Sequence, residues 1–395
     1  MDTATLTTAA PTATQVDQLN AGWHNVVTAA LGLNPATFQI AQGVLGLDTT
    51  DSSALFLMSD AVPPATAVNY YDAGGLSKRS SAYNLLLESL KPSSGSGLRG
   101  ALGNNYAAWV AYRKANKPAA GQAALQFFDD WADANLDPGE AVAAKTAFLK
   151  AQADPLVKAL SALIDGKNLQ QFVDAAGNPY SLFRYSAQSS NALSAINGGG
   201  SATIDFDSAK MSTSTNKAWA KGAASGFYEI FSAGAGVSFS SLSARAASER
   251  FTVKGVINKT ATLATQPIGW FDSGEFSRAY NAPNDFTVWD QNANQGDWNA
   301  FFKQPNGSLA RRVSELVLVS DYSITVTSHA SYSAAEFSQI QSSATFGVWP
   351  FFSAKTSGGA AQSMTRGSNG ELSVTYTLAK GLIQIWGVNV QNAPQ

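Results

Sequence analysis

The chain has 395 residues, long enough for two domains or one large one with a sizeable core, and 45% of them are hydrophobic. Charged residues make up only 14%, against about 25% in an ordinary soluble domain, and the net charge is −2 with basic residues at most in pairs such as Lys78-Arg79 and Arg311-Arg312, which argues against nucleic acid as a partner. The absence of cysteine excludes disulfides, Cys-ligated zinc, iron–sulfur clusters and thiol catalysis.

Residues 1–12, rich in Thr, Ala and Pro, read as a flexible lead-in. They lack the basic start and apolar middle of a secretory signal, and no run reaches about 18 apolar residues. The expectation is synthesis in the cytoplasm, with release to the extracellular space by lysis or a specialised route. Residues 13–197 are expected to form an α-helical region. Val16, Leu19, Trp23, Val26, Val27, Ala30 and Leu31 recur at helical steps until Asn34-Pro35 stops them. Further helices are predicted for Ala54 to Met58, capped by Asp51-Ser52-Ser53, and over Ser81 to Leu90, Leu98 to Lys114 and Gln122 to Ala134. Asp137-Pro138-Gly139-Glu140 and Asp154-Pro155 are two N-terminal signals, opening runs to Gln152 and to Asp165-Gly166.

Asn197-Gly198-Gly199-Gly200-Ser201 reads as a linker, and residues 201–395 are expected to be β-rich. Phe251, Val253, Gly255 and Ile257 alternate with Thr252, Lys254, Val256 and Asn258. Val313 to Val319 and Tyr322 to Val326 predict two strands joined near Ser320-Asp321. Leu372, Val374 and Tyr376 alternate after the turn signal Asn369-Gly370, and a last strand runs over Leu382 to Val390. Short helices are predicted at Asp297 to Phe302 and Ala334 to Ile340. Strands grouped in this way, with helices grouped before them, give an α+β fold with a mainly antiparallel sheet.

Catalytic signals are sparse. There are two histidines, His24 and His329, and neither a G-x-S-x-G elbow nor a phosphate-binding Walker loop. Gly95, Gly97 and Gly100 match G-x-G-x-x-G, but a helix and Pro92 precede them where a dinucleotide site needs a strand. The run Asp290 to Gly296 begins like a calcium loop and then fails, with Gln295 at the glycine position and Phe301 at the bidentate one. No metal, cofactor or catalytic residue is assigned. Carboxylate pairs such as Asp205 with Asp207, or Asp272 with Glu275, would suit a glycoside hydrolase if a sugar bond fitted between them. The apolar run Phe346 to Phe352 reads as a core strand or, if exposed, as an anchor.

The sharpest pattern is a charge-free ribbon. Phe231, Ala233, Ala235, Val237 and Phe239 share one face, and Ser232, Gly234, Gly236, Ser238 and Ser240 share the other. A membrane-spanning β-strand needs about 9–11 residues with lipid-facing apolar side chains and small polar ones behind them. Phe251, Val253 and Ile257 supply a return strand, with Arg245, Glu249 and Arg250 in a polar tip between the two. An ordinary half-buried strand reads the same way. Three functions follow. The first is a non-enzymatic toxin or effector that oligomerises and inserts this hairpin, with a lipid or a receptor as partner; the second is a self-assembling or carbohydrate-binding structural protein, and the third a carboxylate-dependent glycoside hydrolase.

Overall fold

The computed structural model describes residues 24–48, 50–65, 77–92, 97–116, 118–119, 122–152, 154–210, 245–246, 249–291, 293, 296–342 and 360–393. In chain order they form α1 (24–31), β1 (Phe38–Leu47), α2 (Ser53–Asp60), α3 (Arg79–Glu88), α4 (Gly97–Leu102), α5 (Tyr106–Ala115), α6 (Ala124–Asn135), α7 (Pro138–Gln152) and α8 (Pro155–Ile164). A hairpin follows, β2 (Leu169–Val173) with β3 (Pro179–Phe183), and then α9 (Ser189–Asn197), β4 (Gly200–Asp207) and β5 (Phe251–Ala264). Next come α10 (Ser273–Tyr280), α11 (Trp298–Phe302), β6 (Arg311–Ser328), α12 (Ala334–Gln341), β7 (Ala361–Arg366) and β8 (Leu372–Asn392). The fold is α+β, with most helices in the first half and most of the sheet in the second.

The chain divides into two compact units. A sheet unit comprises Met1–Lys78, Tyr185–Gln266 and Arg311–Asn392; a helical unit comprises Arg79–Arg184, Pro267–Ala310 and Ala393–Gln395. The linker-like glycines therefore fall inside one unit. Gly198 ends α9, and Gly199 lies so close to β5 that a Cβ on it would collide with the Thr260 carbonyl. Lys259 Nζ donates to the carbonyls of Asn197 (3.0 Å) and Gly199 (3.2 Å). Glycine serves close approach here, not length.

In the sheet unit the strand order is β1-β8-β6-β5-β4, with β7 also on β8, and every pairing is antiparallel. The strands β4, β5, β6 and β8 are thus a meander. Alternation along them sends Ile204, Phe206, Val253, Ile324, Val326 and Val374 into one buried cluster. The two strands expected around Ser320-Asp321 are one strand of 18 residues. Asp321 takes φ 49°, and the register with β8 shifts between Ser320 and Tyr322, so the turn signal is spent on a bulge. Similarly β8 runs unbroken through Gly381, at φ 92°.

The helical unit is held by rings. Phe128 stacks on Phe148 at 4.1 Å and meets Trp109 edge-on at 4.9 Å, all three buried. Both Asp-Pro signals start helices: α7 opens at Pro138, and at α8 Asp154 Oδ1 accepts the Leu156 N–H at 2.9 Å. Helical spacing did not predict β1 or the β2–β3 hairpin. The hairpin's turn rests on Asp174, whose Oδ1 accepts the N–H of Ala176 and of Asn178.

Candidate functional site

Of the three long connections of the meander, two leave from the same end of the sheet, and the third, between β5 and β6, leaves from the other. Asp207 pairs with Thr252, Phe251 with Ser328, and Ser328 with Leu372, so the ends of β4, β5, β6 and β8 stand abreast. The first connection, residues 208–250, joins β4 to its neighbour β5. The second, residues 329–371, joins β6 to its neighbour β8 and contains α12 and β7.

Charged pairs bind this end together. Arg250 holds Asp207 with two bonds, Nε to Oδ1 at 2.9 Å and Nη2 to Oδ2 at 2.6 Å. The neighbouring Ser208 Oγ accepts the Phe251 N–H. Across the row, His329 Nδ1 donates to Glu371 Oε1 at 2.6 Å, and the His329 N–H donates to the Arg250 carbonyl. Arg245, in the first connection, reaches the second: Nη2 donates to Glu336 Oε1 at 2.6 Å, Nη1 donates to the Ser331 carbonyl at 2.8 Å, and the guanidinium lies 5.2 Å from the Tyr332 ring centre. Glu336 also completes the capping box of α12 with Ser333.

These bonds set the electrostatics. The Arg250 guanidinium draws the Asp207 carboxyl down to about 2, and Arg245 with the Ser333 N–H does the same to Glu336. His329 lowers Glu371. Burial raises the Tyr332 hydroxyl to about 12, so it stays protonated and shares a hydrogen bond with Ser328 Oγ at 2.8 Å. Each carboxylate is thus more acidic in the folded chain than in the unfolded one, where Asp and Glu titrate at 3.8 and 4.5. The pairs therefore stabilise the fold above pH 4.5, and that contribution is lost as pH falls from there towards 2. We expect the urea midpoint of the wild type to exceed that of Asp207→Asn at pH 7 and at pH 5, with the gap closing by pH 2; equal midpoints at pH 7 would contradict this.

The structure places the residues singled out from sequence in several different settings. Phe231, Ala233, Ala235, Val237 and Phe239 lie outside the described residues, as does Phe346 to Phe352. Phe251, Val253 and Ile257 are 1%, 0% and 0% exposed on the inner face of β5, a strand paired on both sides. Arg245 and Arg250, expected in a hairpin tip, sit at the sheet end instead. His24 is buried, and its Nε2 bonds the Phe38 carbonyl at 2.7 Å. Asp205 and Asp207 do share the outward face of β4, but Asp207 is engaged by Arg250 and Asp205 lies 3.4 Å from Lys254 Nζ. A general acid needs a raised pKa, the reverse of what Arg250 does to Asp207. Asp272 caps α10, and Glu275 is buried against Arg278 at 2.6 Å.

Sequence reasoning missed Glu336, Glu371 and Tyr332. Only Glu336 left a local mark, the Ser333-x-x-Glu336 capping signal; its partner is 91 positions away. Among the described residues no group of acidic or histidine side chains could hold a metal, and no helix is long and apolar enough to cross a membrane. Compared with protein-family models, with curated proteins and with solved structures, the chain matches none.

Proposed function

We propose that this chain is a non-enzymatic pore-former of the toxin or effector type, which oligomerises and inserts a hairpin from the first connection into a membrane. The observation that carries the reading is the shared exit. Each of the two connections at this end joins strands that are already antiparallel neighbours, so either one can continue its strands outward as a hairpin without rewiring the sheet. The ladder then extends residue by residue, which keeps every backbone group paired, as lipid demands. The ribbon Phe231 to Ser240 has the length and two-faced pattern of a spanning strand. Phe251, Val253 and Ile257 serve in this reading as the fixed root of the hairpin inside the sheet.

Oligomerisation has a route as well. Among the described residues β4 pairs only with β5, and β1 and β7 pair only with β8, so the sheet has open edges on both sides. An edge pairing with the opposite edge of a second copy is a head-to-tail contact, which closes rings when the rotation allows. The partners are then membrane lipid and further copies of this chain.

Dye-loaded vesicles test the reading. The wild type should release dye, and Phe239→Asp should lower the release at least tenfold, because a carboxylate in the bilayer centre costs about 2.5–3.5 kcal/mol. Thermal unfolding of both proteins separates a loss of insertion from a loss of folding. Vesicles left intact by the wild type across lipid compositions and pH would remove the proposal.

A further inference from the structure

We propose that the contact of Arg245 with Glu336, Ser331 and Tyr332 is a latch, holding the two connections together in the water-soluble form and opening before either one lengthens the sheet. The inference rests on the pore-forming reading and adds a control step to it.

The latch spends one side chain on three groups of the other connection: a carboxylate, a backbone carbonyl and a ring. Its mounting is rigid on both sides. Ala246, next to Arg245, is fully buried in the same cluster as Tyr332 and Ile340. The Tyr332 hydroxyl bonds Ser328 at the end of β6, and Arg366 Nε donates to the Tyr332 carbonyl at 2.7 Å. Gly370, at φ 90°, brings the β7–β8 turn so near that a Cβ would meet Ser331 Oγ.

Latched and extended forms exclude one another. Phe251 pairs with Ser328, and the His329 N–H already carries the ladder one step outward to the Arg250 carbonyl. Lengthening the first connection alone already turns Arg245 and Ala246 from helix to strand and so takes Arg245 off its partners. Lengthening the second as well continues the pairing with β6 and sets Arg245 opposite Ala334, the first residue of α12. Residues 331–336 would then have to be strand, which breaks the capping box and unwinds α12. Arg245 therefore has to leave its partners when the first connection lengthens, and it clamps the start of a helix that lengthening the second must melt. Because Arg245 keeps the Glu336 carboxyl at about 2, mild acid leaves this contact charged and closed.

Charge reversal tests the latch in the full-length chain. Arg245→Glu, Glu336→Arg, the double variant and Arg245→Lys would be compared with the wild type by hydrogen exchange across residues 334–341. The same five proteins would be assayed for dye release from phosphatidylcholine vesicles containing phosphatidylserine. Each single reversal should speed both readouts by about fivefold or more, as expected from losing a charge-assisted, partly buried bond. Arg245→Lys should fall between, since it keeps the charge and loses the fork. The double variant should return towards wild type. Exchange and release unchanged in the single variants, or no recovery in the double, would overturn the latch while leaving the pore reading intact. Exchange following this pattern with no dye released by any of the five proteins would overturn the pore reading, and the control role with it.

Discussion

Val253→Asp is expected to abolish the cooperative unfolding transition of the sheet unit. Val253 is fully buried on β5, paired with Phe206 of β4 and Val326 of β6. Removing the valine forfeits about 2 kcal/mol of burial. The new carboxylate would lie in an apolar cluster, and an unpaired buried charge costs several kcal/mol more, or forces protonation at a similar penalty. The sum rivals the roughly 5–15 kcal/mol that holds a typical domain together. Soluble yield should fall sharply, and circular dichroism in urea should show no sigmoidal transition. The comparison with Phe239→Asp makes this informative, because both residues were read from sequence as parts of one membrane hairpin. A Val253→Asp protein of native stability that fails only on vesicles would place the membrane-facing strand within β5 itself.

The class of fold was legible because its signals are local. Asp154-Pro155 starts a helix by satisfying its own first turn, and the period-two run from Phe251 marks a strand whoever its neighbours are. Where the reading failed, the decisive partner was distant. Asn197 to Ser201 has a linker's composition, yet Gly199 is needed because Thr260 passes behind it. Ser320-Asp321 has a turn's composition, yet β5 and β8 on either side keep β6 whole and reduce the turn to a bulge. The strand β1, in a half that reads as helical, is paired with β8 at the far end of the chain. The sheet end suffered most. Arg245 and Arg250 were visible as charges, but their partners Glu336 and Asp207 become neighbours only through the row formed by Asp207, Phe251, Ser328 and Leu372.

Gly255→Val sets two opposing effects against each other, and the structure decides the sign. Intrinsic preference favours the change, since valine suits a strand better than glycine by up to about 1 kcal/mol. Gly255 has no unusual backbone angle to protect, so conformation raises no objection. Space does. A Cβ there would collide with the Ser323 carbonyl and stand 2.6 Å from Ile324 Cα and 2.9 Å from Ile324 Cγ1. Two of those obstacles are backbone, and β6 cannot step aside while β8 holds its other edge through the pairs from Ser328 to Tyr322. Overpacking of this kind costs about 1–3 kcal/mol, and more when backbone has to move, so the net should be a loss of about 2 kcal/mol. The same close approach recurs at Gly387, where a Cβ would meet the Gln39 carbonyl of β1 and stand 2.7 Å from Phe38 Cζ, so Gly387→Val should behave alike. Urea unfolding measures both, and a lower midpoint with an unchanged slope is the expected result. A raised midpoint for Gly255→Val would mean that β5 and β6 can part by several tenths of an ångström at little cost, and that strand preference, not the approach of the neighbouring backbone, governs this position.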